Sequence, residues 1–241
     1  MAIYIIGDIH GAYKGLLQLI AVTPLKSGDT IIFLGDYVDG WSESPQVLDL
    51  LIDLNNHYNC IYIRGNHDEL LLDWLKNQEE NVLWYQSGGQ STIEAYKNIS
   101  KEIKDKHIEF LSSLKDYYID NQNRLFVHAG FTNLKGVTHE YYPRLLYWDR
   151  TLWEMALCLD PSISVDSPFY PKRLALYQEI FIGHTPVTNL GVTTPIKRAN
   201  VWNLDTGAAF SGCITILNIE TKQFWQSDPI CTLYPNEKGR N

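Results

Sequence analysis

The sequence predicts an α/β fold on two observations. Short apolar runs rich in β-branched residues each stop at a polar, glycine-containing cluster, and helix-spaced apolar positions separate the first three of them. The runs are residues 3–6, 30–34, 61–63, 125–127, 180–182 and 201–204. Their length and near-continuous apolar character suit strands buried on both faces. Leu16, Leu17, Ile20 and Ala21 fall between the first two runs, and Val47, Leu48, Leu51 and Ile52 between the next two, which gives β-α-β-α-β order. From Glu69 to Tyr118 no comparable run occurs, and the spacing of Leu71, Leu72, Leu75 and of Ile108, Leu111, Leu114 predicts helices. That stretch, about 69–118, reads as a helical cap inserted in a single domain spanning 1–241. Residues 157–172 carry Pro161, Pro168 and Pro171 and read as irregular chain, and 236–241 as a frayed polar end.

Composition narrows the function classes. The chain has 241 residues, 45% of them hydrophobic, enough to bury a large core. A formal net charge of −8 gives no overall positive field for a nucleic-acid polymer. No apolar run approaches the roughly 20 residues of a membrane span, and no basic-then-apolar leader opens the chain. A cytoplasmic protein without a membrane partner is expected. Cys60, Cys158, Cys213 and Cys231 lack metal-type spacing and read as reduced packing residues.

The chemistry is concentrated where the runs end, the edge at which α/β sheets bind ligands. The endings are Gly7-Asp8-Ile9-His10-Gly11, Gly35-Asp36-Tyr37-Val38-Asp39-Gly40, Arg64-Gly65-Asn66-His67-Asp68, His128-Ala129-Gly130, Gly183-His184-Thr185 and Asp205-Thr206-Gly207. Paired hydrolytic metals, roughly 3.5–4 Å apart, need oxygen and imidazole ligands and a bridging group. Asp8 and His10, two apart in extended chain, suit one metal, Asp36 is the natural bridge, and Asn66, His128 and His184 complete the second. Carboxylate, amide and imidazole without thiolate favour manganese, with iron or zinc as alternatives. His67 beside Asn66 is placed to protonate a leaving oxygen, and Asp39 to hold its ring. Asp205 reads as the closing residue of its turn, Gly88, Gly89 and Thr92 as a helix start, and His57, His107 and His139 as surface or packing residues.

In this order the endings resemble the phosphoprotein phosphatase family of calcineurin-like metallophosphoesterases, whose blocks run GDxHG, GDxVDRG, GNHE, HAG and GHT. Here they read GDIHG, GDYVDG, GNHD, HAG and GHT. Gly88-Gly89-Gln90-Ser91-Thr92, Trp148-Asp149-Arg150 and Asp205-Thr206-Gly207-Ala208 are similar to the bacterial branch, which includes Ser/Thr protein phosphatases and symmetrical diadenosine tetraphosphatases. The resemblance covers about residues 3–219. It implies a β-sandwich flanked by helices, two divalent metals on Asp8, His10, Asp36, Asn66, His128 and His184, acid catalysis at His67 supported by Asp39, and direct attack of a metal-bound hydroxide without a phosphoenzyme.

Three departures bear on substrate. Gly40 stands where the family carries a phosphate-clamping arginine, so Arg64 and Arg150 remain as the matching substrate-binding positions, with Arg173, Lys197 or Arg198 as basic residues to replace the missing one. Asp68 replaces a glutamate, and Trp41 is expected to line the mouth of the site and stack on a substrate ring. The leading expectation is a Ser/Thr protein phosphatase acting on phosphorylated protein. The alternative is symmetrical hydrolysis of a dinucleoside tetraphosphate, a nucleotide-type small molecule. A third, motivated by Gly40 alone, is an impaired metal- or phosphate-binding module.

Overall fold

The computed structural model describes residues 1–78 and 81–240. Its first half is built as the apolar pattern predicts: β1 (Ile3–Ile6), α1 (Tyr13–Val22), β2 (Thr30–Phe33), α2 (Ser44–Leu54) and β3 (Asn59–Tyr62). The three strands pair in parallel, Ile3 opposite Thr30 and Thr30 opposite Asn59. Helices follow: α3 (Asn66–Asn77), α4 (Val82–Trp84), a wide five-residue turn at Tyr85–Gly89, α5 (Gln90–Tyr96) and α6 (Lys101–Ser113). The second half runs β4 (Tyr117–Ile119), β5 (Leu125–Val127), α7 (Leu145–Trp148), α8 (Thr151–Cys158), α9 (Lys172–Ala175), β6 (Ile180–Ile182), β7 (Ile196–Arg198) and β8 (Val201–Asn203). It closes with β9 (Thr215–Asn218), β10 (Phe224–Gln226) and α10 (Ile230–Leu233).

The strands form two mixed five-stranded sheets, ordered β10-β9-β1-β2-β3 and β4-β5-β6-β8-β7. The six expected strands divide three to a sheet, and the period-two alternation along each decides which side chain meets the other sheet. Ile5 and Ile32 face inward with Leu34, Phe126, Phe181, Leu204 and Leu217, where the Phe126 and Phe181 rings stack at 5.2 Å. Tyr4, Ile6, Ile31 and Phe33 point outward onto Leu16, Leu19, Val47, Leu48 and Leu51 of α1 and α2. Leu125, Val127, Ile180 and Ile182 point the other way, onto Leu152 and Trp153 of α8. Each central strand is therefore covered on both faces, the burial that its uninterrupted apolar run requires.

Four strands escaped the sequence reading. β9 is fully buried and pairs antiparallel with β1, but it ends away from any polar glycine cluster. β4, β7 and β10 are three-residue edge strands, too short for an alternation to register. In the stretch expected to be a cap, α3 begins at Asn66, inside the third cluster. The 236–241 segment also differs from expectation. Within its described part, the Glu237 carboxylate accepts from Ser42 N at 3.0 Å and Ser42 Oγ at 2.8 Å, and Arg240 N donates to Ala209 O at 2.8 Å. Asn241 lies outside the described residues. Among the described residues no helix is long and apolar enough to cross a membrane.

His107 joins α6 to its neighbours. Fully buried, it pairs with Tyr96 Oη of α5 at 2.7 Å through Nδ1 and approaches Asp49 of α2 at 3.2 Å through Nε2. Burial lowers its pKa below the ordinary 6.5, against the opposing pull of Asp49. A depressed histidine resists protonation when folded, so its contribution to stability falls as pH drops through 6.5. His107→Gln is expected to cost about 1–2 kcal/mol at pH 7. Its deficit in melting temperature relative to wild type should shrink on moving to pH 5, which calorimetric scans at the two pH values would show.

Candidate metal centre and its cleft

The sequence-predicted ligands converge because the loops after β1, β2, β3, β5 and β6 interlock. The Asp36 carbonyl accepts from Ile9 N at 3.0 Å and His10 N at 2.9 Å, which fixes the first loop on the second. The Asp68 carboxylate accepts from Gly65 N, Asp36 N and Tyr37 N at 2.8–2.9 Å, which fixes the third on the second. This is a structural role for the departure from the family glutamate, worth several kcal/mol if all three bonds were lost. Gly65 permits the approach: a Cβ there would sit 2.2 Å from both Asp36 N and Asp36 Oδ1. His10, Asp36, Asp39 and His184 all have left-handed backbones, with φ of 54°, 54°, 75° and 68°. Such conformations cost non-glycine residues of order 1 kcal/mol or more each and concentrate at functional sites.

Asp8, His10, Asp36, Asn66, His67, Asp39, His128 and His184 are all at most 6% exposed. Donor atoms of His10, Asp36 and His67 lie within 4.8 Å of one another, as do those of Asp36, His128 and His184. Asp36 faces both ways: its Oδ2 is 3.5 Å from His10 Nε2 and its Oδ1 is 3.4 Å from His128 Nε2. Asp8 Oδ2 stands 3.8 Å from His10 Nε2 and accepts from His184 N at 3.1 Å. Asn66 Oδ1 is 2.9 Å from His184 Nδ1 and 3.3 Å from His128 Nε2.

This donor set fits divalent cations. His10 Nδ1 donates to Val38 O at 3.2 Å and His128 Nδ1 to Leu34 O at 2.7 Å, which turns both Nε2 atoms toward neighbouring oxygens, where a cation can take the place of a proton. Imidazole nitrogen facing oxygen at 3.3–3.5 Å is the spacing of neighbouring ligands around a cation with bonds of roughly 2.0–2.2 Å. The charge balance agrees. Burial, with Asp8 adding to it, pushes the Asp205 carboxyl up to about 8, and burial pushes Asp8 up as well. For Asp36 burial is outweighed by His128 and His67, which hold it well below the carboxylate range. Burial lowers His10 to about 3, while at His128 it is outweighed by Asp36 and Asp8, which raise that imidazole to about 10. A pocket that draws a proton so strongly onto His128 also draws a metal cation.

Beside this centre, the His67 Nδ1–H donates to Asp39 Oδ2 at 2.6 Å. Asp39 also accepts from Trp84 Nε1 at 2.6 Å and Thr92 Oγ1 at 2.7 Å. Trp84 was not singled out in the sequence, where only its aromatic character marked it. Thr92, read there as a helix start, contributes a hydrogen bond to the dyad. Gly88 and Gly89 do open the way into α5.

The site opens into a cleft of about 730 Å³ lined by Asp36, Asn66, His67, His184 and Trp84, by the apolar Leu83, Leu145 and Trp148, and by Arg144, Arg150 and Arg240. Arg150 reaches Thr185 Oγ1 at 3.3 Å and not Asp149, which instead caps α8 through Thr151 N and Leu152 N. Arg64 turns away from the cleft, to Asp116 Oδ1 at 3.1 Å and Leu114 O at 3.2 Å. Trp41 is a correction: it is fully buried, donates to Ala208 O at 2.8 Å and stacks on Tyr234, so it lines no mouth. Trp148, 42% exposed, is the aromatic in the cleft. Arg173 is taken up by Phe131 O and Thr151 Oγ1, and Lys197 and Arg198 lie on edge strand β7, so none of them lines the cleft.

Fold and site together define a metal-dependent phosphoester hydrolase. Residues 1–204 match the calcineurin-like phosphoesterase family model, and the chain belongs to that family. It is 28% identical to the bis(5'-nucleosyl)-tetraphosphatase PrpE [asymmetrical] of Oceanobacillus iheyensis, over 93% of this chain and 91% of that one. It is 27% identical to the symmetrical bis(5'-nucleosyl)-tetraphosphatase of Neisseria meningitidis, over 94% and 95%. Serine/threonine-protein phosphatase 1 of Salmonella typhimurium is 23% identical over 90% and 92%. A solved serine/threonine phosphatase from Saccharomyces cerevisiae shares the fold at a TM-score of 0.59 and 15% identity, covering 95% of this chain and 80% of that one.

Manganese titrated into metal-stripped protein is expected to show two sites per chain by calorimetry and to raise the melting temperature. Asp36→Asn weakens one oxygen on each site together, so it should reduce affinity at both. Loss at one site alone would show that Asp36 does not bridge.

Proposed function

We propose that this protein hydrolyses dinucleoside polyphosphates of the bis(5'-nucleosyl)-tetraphosphate class. The observation that carries the reading is the cleft beside the metal centre, where Arg144, Arg150 and Arg240 share one wall system with exposed Trp148, Leu83 and Leu145. Arginine forks suit a polyphosphate, and an exposed indole next to aliphatic side chains suits a nucleobase. The volume lies within the range of nucleotide-sized pockets. This reverses the order of preference drawn from sequence, because the relatives named above are mainly tetraphosphatases.

In this reading Asp8, His10 and Asp36 would hold one cation, and Asp36, Asn66, His128 and His184 would hold the other. When bound, the metals supply an activated water and polarise the phosphoryl oxygens. Arg150 orients the phosphate beside His184. His67 delivers a proton to the leaving oxygen from Nε2, while Asp39 holds Nδ1–H and so keeps Nε2 directed at the cleft. Trp84 and Thr92 fix the Asp39 carboxylate in turn. Arg64, bound to Asp116, is left as a support of the third loop.

A second reading, dephosphorylation of phosphorylated protein, has one observation in its favour: Tyr141 and Tyr142, 84% and 72% exposed, precede cleft residue Arg144 in the chain and are available to a peptide. Manganese-loaded protein assayed on diadenosine tetraphosphate and on a phosphopeptide panel separates the two. We expect kcat/KM for the dinucleotide to exceed that for every peptide at least tenfold, and the opposite ranking would select the second reading. Trp84→Phe, which deletes one donor to Asp39, is expected to lower kcat roughly tenfold with little change in KM. The loss should be larger for esters with more basic leaving groups.

A further inference from the structure

Gly40 leaves the second loop without an arginine, yet a guanidinium occupies the cleft above it. The stem of Arg240 lies in a slot between Gly40 and Gly88, which are joined by a hydrogen bond from Gly40 N to Gly88 O at 3.1 Å. A Cβ on Gly40 would meet Arg240 Cγ at 3.2 Å, and one on Gly88 would meet it at 2.8 Å. Both glycines have positive φ, 94° and 106°, so the slot needs residues without side chains on two counts. The segment carrying Arg240 is tied down along its length. Tyr234 stacks on Trp41 at 5.2 Å, Glu237 binds Ser42, Arg240 N binds Ala209 O, and the guanidinium carbon lies 5.5 Å from the Phe210 ring centre.

Among the described residues this arginine has no anionic partner. Arg64 is paired with Asp116, Arg144 with Glu69 and Arg173 with Asp149. Among the described residues no carboxylate stands within ion-pair distance of Arg240, and its buried Nε has no hydrogen-bond partner. Leaving a buried charged donor unmatched is costly, so an acceptor belongs there. Arg150 lines the same cleft.

We infer that Arg240 is a substrate-binding residue that grips a phosphoryl oxygen in the cleft it shares with Arg150, filling from a distant part of the chain the place that Gly40 leaves open. The inference rests on the phosphoesterase class of the site and not on which ester is hydrolysed. Inorganic phosphate titrated into manganese-loaded protein tests it directly. Arg240→Met keeps an unbranched stem over the two glycines and removes the charge. It is expected to weaken phosphate affinity roughly ten- to hundredfold, to raise KM for an aryl phosphate by a similar factor, and to leave manganese binding and melting temperature unchanged. Arg240→Lys should recover part of the loss, since it restores the charge without the fork. Unchanged phosphate affinity in Arg240→Met would overturn the inference, and tighter binding would do so too, by showing that the side chain obstructs the cleft. Failure to hydrolyse dinucleoside polyphosphates would instead count against the proposed function, since the phosphate titration does not depend on it.

Discussion

Asp36 is the residue on which the rest of the site depends. Its carbonyl holds the loop after β1, its amide is held by Asp68 at the start of α3, and its carboxylate faces His10 on one side and His128 on the other. The same Oδ1 accepts from His67 N at 3.0 Å. Loops from both sheets thus meet on one side chain. The left-handed backbone at this residue is the cost of making all these contacts at once, and the buried hydrogen bonds around it offset that cost.

This arrangement explains why two sheets are needed. The first sheet supplies Asp8, His10, Asp36 and Asn66, and the second supplies His128 and His184. Of the two proposed sets, Asp36, Asn66, His128 and His184 span both sheets, while Asp8, His10 and Asp36 belong to the first. The inter-sheet core of Ile5, Ile32, Phe126 and Phe181 therefore sets the spacing of the metal donors as well as contributing to stability. A core substitution there would move one set of ligands against the other, and metal affinity would register a shift too small to unfold the chain.

Much of this was legible in the sequence, for a physical reason. Central strands covered on both faces leave long-lived apolar runs, and ligands at their ends sit in tight turns that demand glycine, so strand, turn and donor appear together in the chain. The three-residue edge strands lack that signature. Trp41 misled because an aromatic beside a site cluster looks the same whether it faces the cleft or packs beneath it; here Tyr234 and the Ala208 carbonyl draw it inward. The partner of Arg64 was hidden too, since its sequence position could not reveal Asp116 within reach. Trp84 and Arg240 act across long stretches of chain, and nothing in their local context announces a partner.

The hydrogen bonds from Trp84 and Thr92 to Asp39 tie the His67–Asp39 pair to α4 and α5. Replacing α4 and α5 by a loop of equal length would keep Asn66, His67 and Asp68 on α3 and yet strip Asp39 of two donors, so the orientation of the His67 ring would rest on a carboxylate free to turn.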